Sequence, residues 1–202
     1  VQVTLRDGAT ATADDAVVAV PFNTLGEITF DPPLSEGKRA AIEEKQASRG
    51  LKAWVRIKTA IRQPIFAMAP DTEVVNYAHT EDVYDDGQLL VVFGPDPRRF
   101  ADLDDPMEMQ TALRRLIDED VEIVAMQAKS WLADEFAQGA WAVFKPGQIT
   151  NYMRELQSPE HNVHLIGADL ASGWNGFIDG AIESGARVAS RLTHRTAAVW
   201  PR

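Results

Sequence analysis

A strand, a glycine-rich loop and a long helix follow one another between His164 and Thr193, and this stretch constrains the fold more than any other. The sequence predicts a short buried strand at 163–166, then a loop with three glycines, then a helix whose apolar residues recur at helical spacing. Glu183 and Arg187 lie four residues apart on the opposite face, a spacing that suits a solvent-side ion pair. The predicted buried stripe of the helix consists of Phe177, Ile178, Ala181, Ile182, Gly185, Val188, Ala189 and Leu192.

The turn from this strand into the helix has the features of an anion-binding site. The first turn of a helix leaves backbone N–H groups unpaired and carries partial positive charge, and glycines let a ligand approach the backbone. Glycines at such a turn have a second explanation, because they also allow a helix to pack closely on a sheet. Spacing alone leaves both interpretations open.

Composition excludes several classes of function. The net charge of −10, with lysines and arginines dispersed among acids, disfavours nucleic acid as a partner. The chain contains no cysteine, which excludes disulfides, thiolate metal sites and a cysteine-linked cofactor within it, and its four histidines are too scattered for a metal site. No apolar run approaches the roughly 20 residues that span a bilayer, so we expect no membrane span and a cytoplasmic location.

The 202 residues suffice for one large domain or two small ones, and the pattern along them predicts a mixed α/β fold. The chain opens with Val1 inside an alternating strand pattern, so we expect that further sequence precedes it. The first strand turns at Asp7-Gly8 into a hairpin whose return strand runs through Val17–Val20. Ser35 is predicted to cap a helix that reaches about Arg49, with its lysines and glutamates on the outer face.

The middle of the chain is predicted to form a sheet. Leu51–Ile57 alternates as a strand, and clusters separated by turn residues predict an antiparallel meander. A helix is expected to start at Asp105 or Pro106, followed by a strand at Val121–Met126 and a loop-rich passage from Trp131. The clusters of the meander are Ile65–Met68, Val74–Tyr77 and Leu89–Phe93.

Lys52 lies in the apolar segment LKAWVRI, where a lysine is unusual. The ordinary explanation is that its alkyl stem lies along apolar groups while its ammonium reaches water. The alternative is a lysine that holds a water at a reaction centre, where burial disfavours the charged form. The pattern of residues does not decide between them.

The stretch described first resembles the C-terminal flavin-binding segment of the FAD-dependent amine oxidases, the family of monoamine, polyamine and L-amino acid oxidases. The resemblance is carried by Gly167, by the run GWNGF at 173–177, and by Gly180-Ala181 and Ser184-Gly185. It continues upstream in the order DDAVVAVPFNTL, ITFDPPLSEGKRAAI, GLKAWVRI, WLADEFAQGAW and FKPGQ, and it is poor between about 62 and 121.

The resemblance implies FAD as the cofactor. It places the pyrophosphate against the backbone of Gly167, Ala168 and Asp169, where the family usually has glutamate in place of Asp169. Ala140 stands where the mitochondrial monoamine oxidases carry their flavin-linking cysteine, so the FAD is expected to be non-covalent. Further residues implied near the flavin are Trp131, Trp174, Asn175, Gly176, Phe177, Ile178 and Ala181.

The same resemblance implies three catalytic residues. Lys52 matches the family's active-site lysine, which holds a water near the reactive edge of the flavin. Trp141 and Phe177 match the two positions whose aromatic side chains face each other over the flavin and guide the substrate amine. Ordinary core packing is the competing explanation for each aromatic residue taken alone.

The resemblance divides the chain into an FAD-domain hairpin at 1–26, a substrate-binding domain at 27–162 and a C-terminal FAD-binding segment at 163–202. The family's N-terminal dinucleotide-binding motif, G-x-G-x-x-G, does not occur. We therefore expect activity only with an N-terminal portion, in the same chain or in a partner chain, and an oligomeric assembly. The expected reaction is oxidation of a C–N bond of an amine or amino acid, with O2 reoxidising the flavin to give H2O2. The alternatives are a non-catalytic module of the same fold and a flavoprotein monooxygenase or desaturase.

Overall fold

A computed structural model describes residues 1–199, and the side chains of 1–194. The last three residues of the predicted segment 163–202 therefore lie outside the described residues. The elements confirm a mixed α/β fold. They are the strands β1 (Gln2–Thr4), β2 (Thr10–Thr12), β3 (Ala16–Val18), β4 (Leu51–Lys58), β5 (Phe66–Met68), β6 (Tyr77–Tyr84), β7 (Gly87–Gly94), β8 (Glu122–Lys129) and β9 (Val163–Leu165), and the helices α1 (Glu36–Glu44), α2 (Pro106–Ile117), α3 (Gln148–Leu156) and α4 (Ile178–Val199).

The chain forms two compact units, one of residues 1–47 together with those from 142 onward, the other of residues 48–141. The predicted segment boundaries at 26/27 and 162/163 differ from these limits. The reason is that Ala41 of α1 and Leu156 of α3 share a core with Phe22, Leu165 and Leu170. Residues 27–47 and 142–162 thus fold with the segments predicted to bind FAD, while the functional labels of the three segments remain predictions.

The N-terminal hairpin is shorter than predicted. β1 and β2 pair antiparallel around the Asp7-Gly8 turn, where Gly8 has φ +87°. The return strand does not continue to Val17–Val20, because β3 leaves the hairpin and pairs parallel with β9. Asp15, just before β3, instead lies beside His164 of β9, with 3.3 Å between Oδ1 and Nε2.

Helix α1 begins after Ser35 as predicted, but the Ser35 side chain does not cap it and donates to Glu155 Oε1 instead. The helix ends at Glu44, because Lys45 leaves the helical conformation with φ +53°. The prediction that all its lysines face outward is wrong for Lys38. The Lys38 side chain is 2% exposed and its Nζ lies 2.6 Å from Oε2 of Glu160. The Lys38 hydrogen bond lowers the pKa of the Glu160 carboxyl below its ordinary value of 4.5.

The second unit is a five-stranded antiparallel sheet in the order β5-β6-β7-β4-β8. The meander prediction is confirmed, although β6 lies later in the sequence than Val74–Tyr77. Along β4 burial alternates: Leu51, Ala53, Val55 and Ile57 enter a core shared with Met109 and Leu113 of α2. Helix α2 starts as predicted, because Asp105 accepts a hydrogen bond from the Met107 N–H. The opposite face of the sheet carries Lys52.

Candidate active site

The glycine loop of the first unit opens directly after β9. Gly167 has φ +129°, and a Cβ added there would meet no atom within 4 Å, so the backbone is freely approachable at this point. The loop then forms a single 3-10 turn at Ala168–Leu170. N–H groups at the start of a helical turn have no partner within the turn, which leaves donors for an external acceptor.

Asp169 and Asn175 hold the loop in shape through their side chains. Asp169 Oδ2 accepts a hydrogen bond from the Phe22 N–H at 2.9 Å, which ties the loop to the 3-10 turn at Phe22–Glu27. Asn175 Nδ2 donates to the Asp169 carbonyl at 2.7 Å, and the Gly176 N–H donates to the Ala168 carbonyl at 3.0 Å. One oxygen of the Asp169 carboxylate and the Asp169 carbonyl are therefore both engaged within the protein.

One carboxylate of the chain already occupies part of the loop. Glu183 accepts hydrogen bonds from the N–H groups of Ser172, at 3.1 Å, and Gly173, at 2.8 Å. These two backbone donors lower the pKa of the Glu183 carboxyl. Its predicted ion pair with Arg187 is confirmed, with 3.4 Å between Oε1 and Nη1. The Gly173 N–H thus binds a carboxylate of the protein itself, whereas no side chain blocks access to the backbone at Gly167.

The predicted buried stripe of α4 is wrong at its N-terminal end. Helix α4 packs instead through small residues: a Cβ on Gly180 would overlap the Trp174 carbonyl, and Ser184 is fully buried, with Oγ bonded to the N–H and carbonyl of Gly167. Of the residues in the predicted stripe, Val188, farther along the helix, is the one that is buried. Because the helix approaches the loop so closely, its large apolar side chains point away from it. On the helix, Ile178 (81%) and Ile182 (65%) are exposed; just before it, so are Trp174 (71%) and Phe177 (62%).

Trp174 and Phe177 form an edge-to-face pair, with ring centroids 6.1 Å apart and planes at 85°. Trp174 has φ +47° and Gly176 has φ +82°, backbone conformations that turn the chain sharply before α4. A Cβ at Gly176 would also press against Ala142. The GWNGF run therefore presents two aromatic rings beside the open backbone of Gly167, in the same unit.

In the second unit, Lys52 lies on the exposed face of β4. Its Nζ is 5.4 Å from the ring centroid of Trp54 and 5.8 Å from that of Phe93, and both distances suit cation–π attraction. Lys52 forms no ion pair among the residues that the structure describes. Its ammonium is thus held by aromatic faces, with its hydrogen-bond donors left for solvent or a ligand.

Trp141 is fixed against the same sheet. Its N–H donates to Ser48 Oγ at 3.0 Å, and its ring covers Gly50 so closely that a Cβ there would overlap it. The ring centroid lies 5.9 Å from that of Phe93. The indole remains 45% exposed, so it is seated on the sheet without being buried in it.

A line of aromatic side chains, missed in the sequence, continues from Trp141 across the sheet. We call Phe66, Tyr77, Phe93 and Trp141 the aromatic row. Successive ring centroids are 5.4 Å (Phe66–Tyr77), 5.5 Å (Tyr77–Phe93) and 5.9 Å (Phe93–Trp141) apart. The available signal was the period-two pattern of β7, which predicts that Phe93 faces away from Val92, but cross-strand neighbours require the register.

Trp131, predicted beside the flavin, begins the loop after β8. Its ring is 45% exposed and lies under Lys129, whose Nζ is 4.0 Å from the ring centroid. The second unit therefore assembles Lys52, Trp131 and Trp141, and the first unit assembles Gly167 through Ala181. The predicted facing pair, Trp141 and Phe177, is divided between the two units, and its facing arrangement stays a prediction.

Comparison with known proteins gives the chain a family. A family model described as flavin containing amine oxidoreductase matches residues 1–193. Pseudooxynicotine dehydrogenase from Pseudomonas sp is 37% identical over 195 residues, covering 95% of this chain and 38% of that protein. (S)-6-hydroxynicotine oxidase from Paenarthrobacter nicotinovorans is 30% identical over 194 residues, covering 96% of this chain and 44% of that protein.

Among solved structures, cyclohexylamine oxidase from Brevibacterium oxydans superposes with a TM-score of 0.74 at 21% identity, covering 97% of this chain and 46% of that one. At this identity the match supports the fold alone. The chain spans under half the length of the relatives just described. The family model covers nearly all of the described residues and agrees with the resemblance seen in the sequence, so this chain belongs to the flavin containing amine oxidoreductase family.

Proposed function

We propose that this chain is the C-terminal part of an FAD-dependent enzyme that oxidises a C–N bond of an amine or amino acid. The observation that carries the proposal is the placement of the Lys52 ammonium near the rings of Trp54 and Phe93 on an exposed sheet face, where Phe93 in turn contacts Trp141. An ordinary solvent-facing sheet surface carries mostly polar residues, and an aromatic row of this length indicates a surface that is covered in the working enzyme. The covering groups in the proposal are the flavin, the substrate and an N-terminal portion.

The residues of the first unit suit a bound FAD. No side chain blocks the approach of a pyrophosphate at Gly167. The Gly167 N–H itself bonds to Ser184, so the donors in the proposal are the N–H groups of Ala168 and Asp169. The exposed Trp174, Phe177 and Ile178 supply an apolar surface for a flat ring system. Ala140 stands at the position of the family's flavin-linking cysteine, and the proposal is that the flavin binds non-covalently. When bound, the flavin accepts a hydride from the carbon that carries the nitrogen.

The side chains of this chain bind and orient the substrate. Aromatic walls exclude water and favour the neutral amine over the ammonium, since burying an unpaired charge is costly. Lys52 has three N–H donors and no acid partner among the described residues, so it can hold a water at a fixed position. Two of the relatives above are named for action on pseudooxynicotine and (S)-6-hydroxynicotine, and the aromatic row is consistent with an amine substrate that carries an aromatic ring.

The proposal has two forms, an oxidase and a dehydrogenase, which differ in the molecule that takes electrons from the reduced flavin. The oxidase form returns electrons to O2 and releases H2O2, while the name of pseudooxynicotine dehydrogenase favours a different acceptor. Anaerobic and aerobic reoxidation of the reduced enzyme should be followed at the flavin absorbance. Rapid reoxidation by O2 with stoichiometric peroxide supports the oxidase; slow reoxidation that a dye or a redox protein accelerates supports the dehydrogenase.

The Lys52→Met substitution tests the assignment of the site. In the flavin-loaded full-length enzyme, we expect anaerobic flavin reduction by an amine to slow by on the order of 10²-fold, the scale of one positioned proton-handling group. Lys58→Met, at the other end of β4 on the same face, is the matched control and should leave the rate unchanged. If the flavin of Lys52→Met is reduced as fast as that of the parent enzyme and of the Lys58→Met control, Lys52 has no role in the reaction.

A further inference from the structure

A second lysine lies directly opposite Lys52. In the antiparallel pairing of β4 with β8, the register partner of Lys52 is Lys129. Directly opposed residues of an antiparallel pair project from the same face with Cβ atoms about 4.5–5.5 Å apart, and like charges in this arrangement repel. The sheet thus places two ammonium-bearing side chains side by side at the candidate reaction centre.

The two ammonium groups are turned toward different partners. Lys52 Nζ lies over Trp54 and Phe93, on the β7 side of β4. Lys129 Nζ lies 4.0 Å from the Trp131 ring centroid and 2.9 Å from Oδ2 of Asp134. One carboxylate and one indole therefore engage Lys129, whereas Lys52 keeps only aromatic contacts among the described ion pairs and ring contacts.

Asp134 is itself fixed by the loop that contains Trp131. Its Oδ1 accepts a hydrogen bond from the Phe136 N–H at 3.0 Å, and its own N–H donates to the Trp131 carbonyl at 3.3 Å. The Gly139 N–H closes the loop on the same carbonyl at 3.2 Å. The Lys129 hydrogen bond is the largest influence on Asp134 and lowers the pKa of its carboxyl.

We propose that Lys129 and Asp134 are positioning residues that hold the plane of the Trp131 indole and keep the second ammonium away from Lys52. This inference rests on the proposed function, in which Trp131 and Lys52 adjoin the flavin. A surface ion pair usually contributes little to stability, and Lys129 is about half exposed. The location of the Lys129–Asp134 pair distinguishes it from an ordinary surface ion pair. Lys129 contacts both the Asp134 carboxylate and the Trp131 indole, and it lies opposite Lys52, the lysine assigned to the reaction.

The first test concerns Trp131 alone. The flavin-loaded enzyme is labelled with 5-fluorotryptophan, and the Trp131 signal in its 19F NMR spectrum is identified by its loss in Trp131→Phe. We expect Lys129→Met and Asp134→Asn each to shift this signal, and Lys129→Arg to restore it, because a guanidinium can both stack on the indole and pair with Asp134. An unshifted signal in Lys129→Met would overturn the proposal. Lys58→Met, on the same sheet face, is the control.

The second test separates the two charges. Asp134→Asn leaves an unneutralised ammonium opposite Lys52, whereas Lys129→Met removes it. We therefore expect Asp134→Asn to slow anaerobic flavin reduction by roughly 10- to 100-fold, the scale of a small misplacement of reacting groups, and Lys129→Met to slow it less. The double variant Lys129→Met/Asp134→Asn should recover the rate of Lys129→Met. A double variant as slow as Asp134→Asn contradicts the charge argument.

The two tests also distinguish this inference from the proposed function. If the parent enzyme holds no flavin or oxidises no amine, the proposed function fails, while the Trp131 signal of the labelled full-length protein without flavin still reports whether Lys129 and Asp134 hold the indole. If the parent enzyme is active and neither the signal nor the reduction rate responds to Lys129→Met and Asp134→Asn, this inference fails and the proposed function stands.

Discussion

The buried Lys38–Glu160 pair gives the most sharply defined prediction for stability. Lys38 Nζ lies 2.6 Å from Glu160 Oε2, and the two side chains are 2% and 20% exposed. The backbone of Ser35, at the start of α1, also helps to lower the pKa of the Glu160 carboxyl. The Glu160→Gln substitution keeps the size of the side chain but leaves the Lys38 ammonium buried without a counter-charge.

The magnitude follows from burial. Removing one partner of a fully buried pair costs about 3–5 kcal/mol, because an uncompensated charge remains inside the protein. Glu160 is partly exposed, so water can reach the Lys38 ammonium from that side, and we expect about 2–3 kcal/mol. At 1.36 kcal/mol per factor of ten, this corresponds to roughly 30- to 150-fold more frequent local opening. Lys38→Met removes the buried charge itself and should cost less than Glu160→Gln.

Hydrogen exchange in the full-length protein measures this opening locally, because amides of α1 exchange faster when the helix opens more often. Peptides from β4 and β7 belong to the other compact unit and serve as the internal reference. Glu43→Gln, an exposed position on α1, is the matched control. Exchange in α1 that is equally fast in Glu160→Gln and Glu43→Gln would refute the argument that the pair stabilises the helix.

The same pair predicts a pH dependence. The folded pKa of Glu160 is lower than its ordinary 4.5. Its contribution to the free energy of unfolding is therefore fully present above pH 4.5 and is lost as the pH falls through the folded pKa. The difference in α1 exchange between the parent protein and Glu160→Gln should shrink as the pH is lowered below 4.5, and a difference that grows there contradicts this assignment.

Two further predictions concern the contact between α4 and the glycine loop. Gly180→Ala should cost about 1–3 kcal/mol by overpacking against Trp174 and should reduce flavin retention, whereas Gly185→Ala, whose added Cβ would lie 4.0 Å from the nearest side-chain atom, should be tolerated; equal flavin content in both variants contradicts the close-approach argument. Ser184→Ala should cost about 1–3 kcal/mol, because the Gly167 N–H loses its partner, and thermal unfolding of the flavin-loaded enzyme measures it.

The sheet of the second unit could be predicted from the sequence because its signals are local. The alternation of LKAWVRI fixes which side of β4 is buried, and the Asp105-Pro106 pair marks the start of α2. The aromatic row could not be predicted in the same way, since Phe66, Tyr77 and Phe93 become neighbours only through the register of three strands. The sequence therefore identified Lys52 as a candidate residue, but it could not identify the aromatic side chains around it.

The first unit departs from prediction where long-range contacts replace local ones. Val17 and Val18 have the alternation of a hairpin strand, yet they pair with a strand almost 150 residues away, and periodicity contains no information about that partner. Lys38 has the pattern of a solvated lysine, and only the proximity of Glu160 makes its burial favourable. Both deviations come from contacts with the segment around β9, which the sequence presents as distant.

Helix α4 shows why an apolar stripe is an incomplete guide to a buried face. Its sequence has two candidate faces, one with Ile178 and Ile182 and one with Gly180 and Ser184, and the larger side chains suggest the first. The structure buries the second, because small residues let the helix approach the loop closely enough for Ser184 to bond to Gly167. Close packing at Gly180 thus turns the apolar face outward, beside Trp174 and Phe177. A helix that packs through its small residues keeps its large apolar ones available for a ligand, and this is consistent with the flavin site proposed at this loop.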